Sequence, residues 1–264
     1  MNDKVFTLYH GSDHKVPKPL FGYGKPDNDY GSGFYTTRDA EKAAEWAAST
    51  GTDEAIVNVY EIDTSDLFVV NLDDYGVLTW IAEIVANRGA RGENAFILGE
   101  KIVEKYRLDL SEADIIVGYR ADDSYLDIVD AFLQNQLDLD EVERLFRKGE
   151  LGLQYFIKSE KAFNTIEYKG FERIDPKEYE NLSEVNARTE VAKFLRQRSN
   201  QIFLNGFQPT GITARDAANH FYEFNAEYNY YALADGNDDV GNTNRIDVTD
   251  STEYEDDGFD PADD

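Results

Sequence analysis

The feature that most constrains this fold is a series of short β-rich runs set between helical stretches without one-for-one alternation. Val5 to Tyr9 is one such run, reaching His10 before Gly11 breaks it. Gly33 to Thr37, Ala55 to Ile62, Leu67 to Asn71, Ala113 to Tyr119, Leu153 to Ile157 and Phe163 to Tyr168 read the same way. Asp39 has the chemistry of an N-cap for a helix whose face is Ala40, Ala43, Ala44 and Ala47. Leu78, Ile81, Ala82 and Val85 give Val77 to Asn87 helical spacing, and further helices fit Phe96 to Tyr106, 125–135 and 139–148. This order predicts an α+β domain. Residues 13–30 hold three of the six prolines and form a long irregular loop, a type of segment that often carries function.

The pattern changes at Pro176. Residues 183–204 read as one amphipathic helix, with Val185, Val191, Phe194, Leu195 and Ile202 spaced for burial. Thr213 with Asp216 opens another helix, a capping-box pattern with Asp in place of Glu, expected to carry His220, Phe221, Tyr222 and Phe224. Residues 235–264 are rich in Asp and Glu, with one Arg and few aliphatic side chains. Too little apolar area is available there to offset chain entropy, so a disordered acidic tail is expected. The divisions are thus 1–175, a helical extension over 176–234, and the tail.

Composition narrows the chemistry. A net charge of −27 repels nucleic acid and anionic membranes at long range. With no cysteine, disulfides, Cys-ligated metals and thiol nucleophiles are excluded. His10 and His14 sit on a glycine-containing loop rather than a helix, so no metal site is expected. Phosphate-loop, dinucleotide-fold and serine-hydrolase signatures are missing. The opening Met-Asn-Asp-Lys-Val-Phe lacks a basic segment followed by an apolar run, and no stretch approaches membrane-span length. A cytoplasmic protein is expected.

Four separated pieces carry the chemistry: Leu8-Tyr9-His10-Gly11-Ser12, Gly31-Ser32-Gly33-Phe34-Tyr35, Trp46, and Leu153-Gln154-Tyr155. In this order they resemble the nicotinamide pocket of the ADP-ribosyltransferases, in the branch of diphtheria-type toxins and poly-ADP-ribose polymerases. The chain is similar over about residues 5–170 to a bacterial branch in which Gln is usual at the third motif position. The resemblance implies a split fold of two packed, mainly antiparallel β-sheets with surrounding helices. NAD would be a co-substrate, with no metal. His10 would orient the ribose, and Gly11, with Ser12 beside it, would hold the carboxamide. Tyr35 would lie against the nicotinamide. Trp46, eleven residues on, would form the opposite wall. Ala43 stands where a Ser often helps hold the carboxamide.

His10, Tyr35 and Gln154 form the expected catalytic set. Gln154 occupies the place of a catalytic Glu. Gln keeps a hydrogen bond but brings no negative charge and cannot act as a general base. Glu150 could restore the charge only if its strand began early, which Gly149 and Gly152 oppose.

The loop from Arg120 through Asp122, Asp123, Ser124 and Tyr125 is a candidate for phosphate and acceptor contacts. Arg120 would pair with pyrophosphate, and the two Asp would position a nucleophile. The alternative is a turn whose Asp122 or Asp123 caps the next helix. The expected function is a mono-ADP-ribosyltransferase acting as a toxin-like effector or regulatory enzyme. Its acceptor is open among a protein side chain, a nucleic-acid base and a small molecule, with the acidic charge favouring protein over nucleic acid, and an inhibitory or regulatory protein is a further expected partner. An NAD glycohydrolase and an inert NAD-pocket module are the alternatives.

Overall fold

The structure is a computed structural model and describes residues 4–52, 54–120, 123–148, 152–179, 184–227 and 229–234. The acidic segment 235–264, Asp122 and Glu150 lie outside these residues.

The elements run β1 (Val5–Ser12), β2 (Phe34–Thr36), α1 (Ala40–Ser49), β3 (Ala55–Asp63), β4 (Val69–Asn71), α2 (Val77–Arg88), α3 (Glu93–Tyr106) and β5 (Ile115–Tyr119). They continue with α4 (Asp123–Leu133), α5 (Leu139–Lys148), β6 (Leu153–Ile157), α6 (Glu160–Phe163), β7 (Ile166–Ile174) and α7 (Pro176–Tyr179). The last are α8 (Glu184–Asn205), α9 (Ala214–Asn219), β8 (Tyr222–Asn225) and β9 (Tyr230–Leu233). The architecture is α+β, as expected.

One sheet has the order β1-β3-β7 and is antiparallel throughout. The second, β2-β6-β5-β4, is antiparallel except where β4 runs parallel to β5. Period-two alternation gives each strand of the second sheet two packing faces. Ile115, Val117, Tyr155 and Ile157 on one face meet Phe6, Leu8, Tyr60 and Ile62 of the first sheet. Ile116 and Phe156 on the other face join the helical core with Trp80, Ile128, Phe132 and Phe146. The second sheet is therefore the middle layer. Among the described residues, no helix is long and apolar enough to cross a membrane.

Both expected caps form. The Asp39 carboxylate accepts from the Glu41 and Lys42 amides at the start of α1. Thr213 and Asp216 exchange the reciprocal bonds of a capping box at α9.

Three expectations need correction. Phe163 ends α6, which Ser159 caps, so the next strand starts later, at Ile166, and runs to Ile174. The helix from Thr213 stops at Asn219. Tyr222 and Phe224 lie instead in an antiparallel hairpin formed by β8 and β9. The extension is also not purely helical, and it packs on the preceding domain. Val191, Ala214 and Ala217 belong to the main helical core, Phe221 stacks on Tyr106, and the Tyr231 hydroxyl accepts from the Leu78 amide.

Candidate active site

The cleft opens where the two sheets meet. Tyr9 of β1 and Thr37, just after β2, exchange backbone hydrogen bonds of 2.7 and 2.9 Å. The chain then turns into α1, which crosses β1 so closely that a Cβ on Gly11 would lie 2.0 Å from the Ala43 carbonyl oxygen. Glycine is required there for backbone approach. The resulting cavity measures about 440 Å³, within the usual size range for small-molecule sites. His10, Gly11, Tyr35, Trp46, Arg120 and Gln154, drawn from β1, β2, α1, the end of β5 and β6, all line it.

His10 is half-buried, with its Nδ1 2.8 Å from the Tyr35 carbonyl oxygen and its ring 4.5 Å from that of Phe34. A carbonyl can only accept, so Nδ1 carries the proton and Nε2 is the acceptor of the neutral ring. Burial lowers the His10 pKa to about 4, against the opposing pull of the Tyr35 carbonyl, and the nearby His14 lowers it further. At neutral pH the ring is uncharged.

The Tyr35 ring is held at its far end. Its hydroxyl donates to the Gly31 carbonyl at 2.8 Å and accepts from the Tyr30 amide at 3.0 Å. Burial raises its pKa, so it stays protonated. The ring packs 4.8 Å from Phe156. Trp46, on the same cavity, is 47% exposed, which is unlike a core tryptophan. The Arg120 guanidinium lies 4.4 Å from the Trp46 ring centroid, a cation–π distance, although Arg120 itself is only 8% exposed.

Gln154 shares a face of β6 with Phe156. Its Nε2 donates to Oδ2 of Asp29 at 3.1 Å, and Oδ1 of Asp29 accepts from Arg88 at 2.8 Å. Asp29, Arg88, Lys25 and Lys42 also line the cavity and were not singled out from the sequence. Asp29 lies in the long loop flagged there and directly precedes the Tyr30-Gly31-Ser32-Gly33 run. No local pattern marks Arg88. Lys42 is paired with Glu45 at 3.2 Å.

Ser12 does not reach the cavity. Strand alternation turns it away from Gly11, and it is buried, donating to the His14 carbonyl and accepting from Asn58 Nδ2 at 3.1 Å. Asn58, fully buried, also accepts from the Val16 amide and donates to the His14 carbonyl, anchoring the start of the long loop.

Tyr125 is not an acceptor contact. It is 1% exposed, stacks on Phe146 and donates to the Phe146 carbonyl at 2.6 Å. Asp123 and Ser124 form the first residues of α4, and Asp122 lies outside the described residues. Arg38 stands over the Phe6 ring, away from the cavity lining.

No curated protein and no solved structure matched the chain. A family described as "Protein of unknown function (DUF3990)" matches residues 6–168, a span that includes every cavity residue named above, and the chain belongs to that family.

Proposed function

We propose that this cavity binds NAD and that the protein is a mono-ADP-ribosyltransferase, releasing nicotinamide and transferring ADP-ribose to a protein acceptor. One observation carries the reading. His10, Gly11, Tyr35, Trp46, Arg120 and Gln154, chosen from motifs up to 144 positions apart, line a single cavity. Two sheets meeting at a cleft are also in keeping with the split ADP-ribosyltransferase fold, which is part of the proposal.

The roles follow from the donors and acceptors present. Neutral His10 presents Nε2 to accept from a ribose hydroxyl. Tyr35 offers a fixed ring face to the nicotinamide, and Trp46 offers a second aromatic surface. Among the described residues, Lys25, Lys42, Arg88 and Arg120 line the cavity against one lining carboxylate, Asp29, which pairs with Arg88 as Glu45 pairs with Lys42, so positive charge outnumbers negative there in a protein of net charge −27. Such a local field suits a pyrophosphate. Cleavage breaks the bond between the anomeric carbon and the nicotinamide nitrogen, with both electrons leaving on nicotinamide. The acceptor then bonds to that carbon and gives up its proton to water.

The test uses the full chain with isotopically labelled NAD and a cell extract, read by mass spectrometry. Nicotinamide release with label on protein is expected. Tyr35→Ala should slow release about a hundredfold through loss of positioning. Release with no labelled macromolecule would replace transfer by hydrolysis, and absence of both binding and release would overturn the proposal.

A further inference from the structure

Negative charge is lacking at position 154 but present beside it. Asp29 is 5% exposed and lines the cavity, with one carboxylate oxygen on Gln154 and the other on Arg88. Its backbone carbonyl accepts from Asn87 Nδ2 at 3.0 Å. The next residue is pinned as well. The Tyr30 hydroxyl donates to the Tyr119 carbonyl at 2.6 Å and accepts from Trp80 Nε1 at 2.8 Å. Gly118 makes room for it, since a Cβ there would lie 2.3 Å from that hydroxyl. This end of the long loop is thus tied to α2 and β5, and the carboxylate is fixed in the cavity wall.

The contact has a chemical consequence. A carboxylate only accepts hydrogen bonds, so the Gln154 amide must turn its NH2 to Asp29. Oε1 is then the atom Gln154 can offer elsewhere. Donation to an anion also polarises the amide and strengthens Oε1 as an acceptor. Arg88 offsets part of the negative charge. Its side chain is 27% exposed against 7% for Asp29, so water screens the cation more than the anion.

Resting on the NAD-cleavage reading, we propose that Asp29 supplies this site's missing carboxylate by acting through Gln154. It aims Oε1 at a ribose hydroxyl and holds negative charge near the anomeric carbon as positive charge develops there. Asp29 forms no covalent bond and is unchanged at the end of the cycle. It is a positioning residue with an electrostatic role.

The experiment compares wild type, Asp29→Asn, Gln154→Glu and the swap Asp29→Asn/Gln154→Glu. It measures nicotinamide release under varied NAD, with thermal unfolding as the folding check. Asp29→Asn keeps the shape, removes the charge and turns one of two acceptors into a donor facing Gln154 or Arg88. It should lower kcat about a hundredfold with KM within about threefold, the size expected for losing one preorganised electrostatic group. The swap restores a carboxylate–amide pair with its polarity reversed and should recover at least about tenfold of the lost rate. Gln154→Glu alone is the control, because it adds a carboxylate at the motif position whatever Asp29 does. A purely structural role for Asp29 predicts that Asp29→Asn loses thermal stability while its folded fraction keeps wild-type kcat.

Wild-type kcat in folded Asp29→Asn would overturn the proposal and leave NAD cleavage standing, as would a folded swap variant as slow as the single variant. If Asp29→Asn fails to fold, the swap decides, against wild type and the control. A wild-type protein that neither binds nor cleaves NAD would instead overturn the underlying reading, and this proposal with it.

Discussion

His10 shows how much a single side chain's surroundings decide. Burial outweighs the stabilising Tyr35 carbonyl and brings its pKa from 6.5 to about 4. The folded protein therefore resists protonation more than the unfolded chain does. Between pH 6.5 and 4 the unfolded state binds more protons, so stability from this residue is full above 6.5 and lost as pH falls towards 4. The cost reaches about 2–3 kcal/mol at pH 4.5. Urea unfolding of wild type and His10→Gln at pH 7 and pH 4.5 should show wild type losing more by that amount. Equal losses would mean that His10 is not held neutral. The residue's identity and motif could be read directly from the chain. Its tautomer could not, because that depends on a carbonyl 25 positions away.

At the scale of elements, the site depends on α1 lying directly on β1. Gly11 permits this, and the Asp39 cap starts the helix so that Trp46 reaches the cavity. Gly11→Ala would place a methyl group against the Ala43 carbonyl and the Ala47 amide, both backbone atoms. Separating the two elements should cost about 3 kcal/mol in denaturant unfolding and shift Trp46 fluorescence. Unchanged stability would show that this contact is looser than described. Strand and helix positions were largely legible because local chemistry sets them, as at Asp39 and at Thr213 with Asp216. The late start of β7 was less so, because apolar Phe163 suits a strand until Ser159 caps a short helix through it. Tyr222 and Phe224 have helical neighbours in sequence, yet they pair with β9 because the hairpin's aromatics pack over Gly76 at the start of α2.

For the whole molecule, the division at residue 175 separates no core. Val191 of α8 and Ala214 and Ala217 of α9 complete the helical core, and Arg198 is bound to Glu141 of α5. Ending the chain at residue 175 would expose that face of the core to water, a loss of apolar burial. Its melting temperature should fall by at least about 10 °C relative to the full chain. A chain ending at residue 234 keeps all these contacts and should melt within about 2 °C of the full chain. A 1–175 chain that melts as cooperatively and as high as the full chain would show that the extension contributes little to the core.

By itself the sequence determined the α+β class and most element positions, because periodicity and caps are local properties, while a family resemblance pointed to six residues that line the cavity. Tertiary structure alone decided that Ser12 turns inward to His14 and Asn58, that Tyr125 enters the core, and that Asp29 meets Gln154. The last pair lies 125 residues apart. Neither residue's neighbours in the chain encode the contact, which arises only when the pinned loop and β6 are brought together by the packing of the middle sheet against α2.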